Sequence, residues 1–292
     1  MPIKSRKVRV QGSGFRVQGV ARWRFAFLGL FLGFGLAQAG EQPRVITLAP
    51  HLTELVFAAG AGERLVGVVD FSDYPAAAAD LPSIGDAFRF DLERIMLLAP
   101  DSALAWRGGT SPHAAAGLSN LGVEIVWIET STLAQIGASL TIIGDRLGTG
   151  EQARQARNRF ERELEDLRSL HRDRGGSPRT VFYQVSARPL YTLGGRHVIN
   201  EILAVCGLVN LFGGLDTEAG VVDEEAIIAA QPAFIIAGQE PGQPDPLARW
   251  RQSKLLDHQA VRLLAVDANL LVRPTPRILE GIDSLCRLTE SD

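Results

Sequence analysis

The sequence predicts an α/β fold of two lobes with mainly parallel sheets, joined by one long helix, with a ligand cleft between the lobes. Three observations carry this expectation. Strand-like and helix-like segments alternate with short links in the first half of the chain and do so again in the second. Between the two runs, residues 151–172 (EQARQARNRFERELEDLRSLHR) set Ala153, Ala156, Phe160, Leu164, Leu167 and Leu170 along one helical stripe, with charged residues or Gln at nearly every other position. At about 1.5 Å per residue such a helix spans about 33 Å, the width of a small domain. Finally, 292 residues of which 46% are hydrophobic suffice to bury a sizeable core. Periodicity alone fits an ordinary surface helix of one large domain equally well; the alternation on both sides favours a strut.

In order, residues 44–48 (RVITL) read as a buried strand that ends at Ala49-Pro50, and His51-Leu52-Thr53-Glu54 opens a helix stopped by Gly60 and Gly62. Residues 65–69 form a second strand that runs into the loop DFSDYP. Asp91 is placed to cap a helix over residues 92–98. Residues 101–105 form a third strand, delivering Trp106-Arg107-Gly108-Gly109 at its end. A helix over 112–121, a strand over 123–127 and a helix over 133–147 complete the first lobe, residues 40–147. Gly148 and Gly150 precede the long helix and Gly175-Gly176-Ser177-Pro178 stops it, so the connecting segment is 148–177. In the second lobe, 178–292, the expected strands are 180–184, 233–237 and 261–266, with a turn or short hairpin over 190–195. Its helices are 198–206, 224–230 and a last one that Pro276 can open. Ligands of open α/β sheets bind beyond the carboxyl ends of the strands. The residues placed there are Pro50-His51, Phe71 to Tyr74, Trp106-Arg107, Tyr191 and Asn269 to Arg273.

Charge is unevenly distributed. Seven of the 30 Lys and Arg residues lie in residues 1–39, which hold no acid; the remaining 23 face 33 acidic residues, a net charge of −10. Such a domain lacks the basic footprint that nucleic acid demands. The basic start runs into FAFLGLFLGFGL (residues 25–36) and then Ala37-Gln38-Ala39, the pattern of a signal peptide over 1–39 that directs export to the periplasm. A dozen apolar residues fall short of the roughly 20 that span a bilayer; an uncleaved anchor is the competing reading. The echo VRVQG then FRVQG leaves the true start open to a downstream position. Two cysteines, Cys206 and Cys286, form an even count in an exported chain, which favours a disulfide over two buried thiols.

Catalytic signatures fail: the chain has no G-x-S-x-G, Walker A, H-E-x-x-H or strand-following G-x-G-x-x-G. No two of the five histidines have metal-ligand spacing. No catalytic or metal-ligating residue is therefore expected, although His51, after the first strand, sits where exported metal receptors can place a ligand.

Five stretches carry a resemblance: RVITLAPHLTELVFAAGAG, VGVVDFSDYP, FDLERIMLLAPDSALAWRGG, LYTLGGRHVINEILAVCG and PTPRILEGIDSLC. In order over about residues 44–288, they resemble the periplasmic cobalamin-binding proteins of bacterial ABC importers, whose Rossmann-like lobes are joined by one long backbone helix. SDYP followed by LERI and AWRGG resembles the cobalamin branch, whereas the alternating lobes alone fit haem and siderophore receptors as well. The resemblance implies a corrin held edgewise by Phe71, Trp106 and Tyr191, with Asn269 and Arg273 as polar contacts and Tyr74 nearby; Arg107, at the end of the third strand, is a further ligand-binding candidate. It also implies a Cys206–Cys286 disulfide. It further implies that Glu93 and Glu225, each in the first turn of a helix and one per lobe, dock on arginines of the membrane permease. Complementation of the helix dipole, worth about 0.3–1 kcal/mol, accounts for an acid at either position as well.

The chain departs from that pattern at two places, where Ala87 and Ala219 stand for the family's tryptophans; Phe88 beside Ala87, with Phe90, is the expected replacement wall. The expected function is capture of cobalamin or a related corrinoid as cargo by a monomer that needs no cofactor and presents it to an ABC importer. The alternatives are the same fold with haem, using Tyr74, Tyr191 or His51 as axial ligand, or with a ferric siderophore, using Arg107, Arg196 and Arg273. An exported α/β hydrolase is the remote one.

Overall fold

A computed structural model describes residue 9 and residues 42–171, 178–240, 242–256 and 260–290. The expected signal peptide lies outside the described residues apart from Arg9, as do residues 172–177 at the end of the connecting segment. No helix among the described residues is long and apolar enough to cross a membrane.

Residues 41–292 form one compact unit containing two sheets. The first lobe is built from β1 (Val45–Thr47), α1 (Pro50–Ala58), β2 (Leu65–Val68), α2 (Leu92–Leu98), β3 (Ser102–Trp106), α3 (Pro112–Asn120), β4 (Glu124–Ile128) and α4 (Leu133–Leu147). Its sheet has the order β2-β1-β3-β4 and every pairing is parallel. The connecting helix is α5 (Gly150–His171). The second lobe contains β5 (Arg179–Ala187), β6 (Leu190–Leu193), α6 (Ile199–Val205), β7 (Leu208–Asn210), β8 (Ala219–Val221), α7 (Glu224–Ala230), β9 (Phe234–Gln239), α8 (Ala248–Arg251), β10 (Arg262–Asp267), α9 (Ala268–Leu271) and α10 (Ile278–Glu290). Its sheet runs β10-β9-β5-β6-β8, parallel through β10, β9 and β5 and antiparallel from β5 to β6 to β8; β7 pairs with the start of β5.

Local chemistry explains the boundaries. Asp91 accepts the Arg94 N–H at 2.9 Å and Thr132 accepts the Gln135 N–H at 3.1 Å, each satisfying a free donor in the first turn of its helix. Gly148 takes the left-handed conformation (φ 77°) that ends α4, and α5 starts two residues later. β6 falls within the turn or hairpin expected over 190–195, whereas β7, β8, α8 and α9 are absent from the expected element list. Each is three or four residues long, too short for a hydrophobic period to show. The last helix begins at Ile278, because Thr275 and Pro276 form the preceding turn, their carbonyls accepting from Ile278 and Leu279.

Most of the stripe on α5 is buried as its spacing predicts: Ala153, Ala156, Phe160 and Leu164 belong to one apolar cluster shared by both lobes and Leu167 packs against it, whereas Leu170 is exposed and His171 is buried in the last turn instead. The same cluster holds Leu133, Ile136, Leu140 and Ile143 from α4, and Ile202, Leu203, Leu285 and Cys286 from α6 and α10. The Cys206–Cys286 disulfide ties the end of α6 to α10. Helices α4 and α5 approach so closely at Gly144 that an added Cβ would stand 2.2 Å from the Cβ of Ala153. On α3, the Cβ position of Gly117 meets nothing within 4 Å. Gly117→Ala should therefore stabilise by up to about 1 kcal/mol through helix propensity. Gly144→Ala should destabilise by about 1–3 kcal/mol despite the same propensity gain, and urea unfolding of the two variants measures both signs.

Candidate ligand-binding cleft

Strand ends from both lobes converge on two cavities. One, of about 730 Å³, is lined by Trp106, Arg107, Glu129 and Ser131 from the first lobe and by Tyr191, Arg196, His197, Glu218 and Ala219 from the second. The other, of about 580 Å³, is lined by Phe71 and Asp73 from the first lobe and by Glu240, Gln243, Asn269 and Arg273 from the second. Both volumes fall in the range of small-molecule sites, about 300–1,000 Å³.

Trp106 is held in place by its own segment. Thr110 Oγ1 accepts its backbone N–H at 2.9 Å, and the chain then folds back across the indole. Cβ atoms added at Gly108 and Gly109 would lie 2.9 and 2.3 Å from the ring, so only glycine allows this approach. Arg107 lies over the Trp127 ring of β4, 5.0 Å from its centroid. On the opposite wall, β6 carries Tyr191 and β8 carries Ala219; the two strands pair antiparallel, with Tyr191 opposite Val221 and Ala219 opposite Leu193. At the second cavity Phe71 is 79% exposed and has φ 65°, a left-handed conformation that a bulky residue rarely adopts outside constrained sites.

The first turn of α1 lies close to both cavities. His51, 5% exposed, meets Trp106 edge-on with centroids 4.9 Å apart, and burial, followed by the charge of Arg273, lowers its pKa to about 3. Burial lowers His197 to about 4. Its Nδ1 accepts the Ile199 N–H at 3.1 Å, which leaves the ring proton on Nε2. One turn after His51, Glu54 is buried and bonded to Arg273 at 3.1 Å, with Arg277 at 3.5 Å. Farther along the seam, Glu201 of α6 accepts the Leu133 N–H at the start of α4 (2.9 Å), and Glu218 accepts from Ser131 (3.4 Å).

The expected site residues separate into groups. Trp106, Arg107 and Tyr191 share the larger cavity, whereas Phe71, Asn269 and Arg273 share the smaller. Asn269 stands on α9, its N–H bonded to Asp267 at 2.8 Å, rather than on an open loop. Tyr74 lines neither cavity; its ring lies under Arg277, 3.9 Å from the guanidinium carbon, beside Pro75 and Pro276. Phe88 also lines neither and is 88% exposed, while Phe90 packs on the core of the first lobe. Glu93 and Glu225 are exposed in the first turns of α2 and α7, and neither forms an ion pair among the described residues. No group of three or more His, Cys, Asp or Glu among the described residues could hold a metal ion.

Sequence reasoning missed Glu54, Glu129, Glu218 and Arg277. Only Glu54 left a signal, as the one ionised side chain in the otherwise apolar run LTELVFAA. The histidine geometry has a measurable consequence. His51 stays neutral in the fold but gains a proton in the unfolded chain below pH 6.5, so its contribution to stability is lost as pH falls from 6.5 towards 3. His51→Gln should flatten the fall of unfolding free energy between pH 6.5 and 5 by about 1.4 kcal/mol per pH unit. Chemical denaturation across that range reads the difference in slope.

Known proteins share this architecture. The family model described as periplasmic binding protein matches residues 45–262. A vitamin B12-binding protein of Vibrio cholerae is 33% identical over 251 residues, covering 86% of this chain and 90% of the relative. Another, of Pectobacterium carotovorum, is 34% identical over 243 residues, covering 83% and 87%. The crystal structure of the periplasmic vitamin B12 binding protein of Vibrio cholerae superposes with a TM-score of 0.74 at 32% identity, covering 84% of this chain and 96% of that one. A periplasmic haem binding protein from Pseudomonas aeruginosa shares the fold with the same TM-score at 22% identity, covering 86% and 95%. With two mainly parallel sheets bridged by a long helix and a family match over most of its length, the chain belongs to the periplasmic binding protein family.

Proposed function

We propose that the chain is exported through residues 1–39, captures cobalamin or a related corrinoid in the periplasm as a monomer, and delivers it to an ABC importer without chemical change. The observation that carries this reading is the placement of Trp106 and Tyr191 on opposite lobes of one cavity of about 730 Å³. A large conjugated ring is bound well by flat aromatic walls, each of which buries 150–250 Å². Its peripheral amides want both donors and acceptors. Arg107 and Arg196 supply donors there, and Glu129 and Glu218 supply acceptors. Phe71, Asn269 and Arg273 at the second cavity extend the same grip. The vitamin B12-binding relatives support this cargo, since the identity to them extends over most of both chains.

Haem-binding proteins share the fold, but the side chains here suit haem less well. His51 is buried against Trp106 and Tyr74 lies under Arg277, which leaves Tyr191 as the candidate axial ligand on a cavity wall. Cobalamin brings its own axial ligands and needs none. A ferric siderophore would want several arginines together, whereas Arg107 and Arg196 line one cavity and Arg273, bonded to Glu54 and Asp73, lines the other. Ala219 on the wall of the larger cavity leaves room where the family resemblance expects an indole, so the grip there rests on Tyr191 and Trp106.

Calorimetric titration of the chain from Gly40 onward should give one-to-one binding of cyanocobalamin with a sub-micromolar Kd. Trp106→Ala should raise that Kd tenfold or more, about 1.4 kcal/mol. Hemin binding without cyanocobalamin binding would overturn the ligand. Delivery is read separately. Glu93→Lys with Glu225→Lys should leave the Kd in solution unchanged and abolish uptake through the reconstituted importer. Undiminished uptake would remove the docking role.

A further inference from the structure

A charged seam joins the two lobes beside the cleft. Glu54 sits on α1 of the first lobe with its side chain 3% exposed. A carboxylate so far from water persists as an ion only when paired. Its partners come from the other lobe: Arg273 Nη1 lies 3.1 Å from Oε1 and Arg277 Nη1 lies 3.5 Å from Oε2. Arg273 also donates to Asp73 at 2.6 Å and lines the cavity of Phe71 and Asn269. Arg277 lies over the ring of Tyr74 at 3.9 Å. The two arginines thus hold the loop carrying Phe71 at both Asp73 and Tyr74, and both converge on one buried carboxylate.

We infer that Glu54 is a positioning residue of the cleft, fixing the Arg273 guanidinium toward the ligand and fastening the two lobes at the seam. The inference rests on the binding function proposed above but is separable from it. Asp73, whose side chain is 62% exposed, forms a solvent-screened pair with Arg273 and is a weak anchor by itself. Glu54 is buried, so its pairing is little screened. Without its charge, Arg273 keeps only the weak anchor and the lobes lose a link from α1 to the segment before α10. The cleft then opens more often and its arginine samples several positions, so bound ligand leaves faster.

A double-mutant cycle tests this. Glu54→Gln, nearly isosteric, should raise the Kd for cyanocobalamin at least tenfold, chiefly through dissociation. Arg273→Gln should do the same, and the double variant should bind no worse than the poorer single variant. A general loss of packing would instead make the two effects multiply, and that outcome, or an unchanged Kd in Glu54→Gln, overturns the inference. If Glu54→Gln alone fails to fold, the link requires that adding Arg273→Gln restore folding, and failure to restore it counts against the link. Should the wild-type chain bind no cyanocobalamin, the functional reading fails while the seam is still tested without ligand. Spin labels at positions 96 on α2 and 226 on α7 should show a broader inter-lobe distance distribution in Glu54→Gln than in the parent. Identical distributions would overturn the inference.

Discussion

A single apolar stripe, Ala153, Ala156, Phe160 and Leu164 on α5, is buried within a cluster that both lobes share, and it constrains everything else in the molecule. Because α4 packs along one part of that helix while α6 and α10 contribute to the same cluster, a large separation of the lobes would expose core side chains. Ordinary linkers impose no such cost. The cleft is therefore largely preformed, and binding needs only modest adjustment of the walls. A preformed site loses little entropy on binding, so more of the contact energy appears as affinity. The Cys206–Cys286 bond reinforces the same side of the second lobe, joining α6 to α10 beside α5.

The lobes are also joined through an electrostatic seam. Buried Glu54 and its two arginines, together with the glutamates Glu201 and Glu218 that reach across to residues 131–133, join the lobes through directional bonds. Directional contacts suit a face that must accept a ligand, because they fix geometry while leaving the aromatic walls free. The uncharged His51 fits this pattern. Burial and the neighbouring arginine keep it neutral, so it packs against Trp106 without bringing a second positive charge beside Arg273.

Much of this is legible in the sequence. Strand and helix alternation, the stripe on residues 151–172, the Asp91 cap and the even cysteine count all report local chemistry, and the elements lie where that chemistry puts them. In the second lobe the turn or hairpin expected over 190–195 holds β6, whereas β8 was not legible, since its three residues Ala-Gly-Val carry no strand signal of their own. In the cleft, Trp106 was legible because β3 ends on it, and Tyr191 because the expected hairpin over 190–195 carries it; both reach the larger cavity. Tyr74 and Phe88 show the limit of that logic. Each follows the right strand or loop, yet side-chain direction depends on partners distant in sequence, and Arg277 covers Tyr74 from 203 residues away. The charged seam was invisible for the same reason, apart from the one carboxylate in an apolar run.

The most direct test of a corrinoid clasped between aromatic walls of opposite lobes is a crystal structure of the chain grown with cyanocobalamin. The account predicts the macrocycle in the cleft with Trp106 on one lobe and Tyr191 on the other in van der Waals contact, and Arg273 still bonded to Glu54. A corrinoid bound outside the cleft, or one that contacts neither aromatic ring, would contradict it.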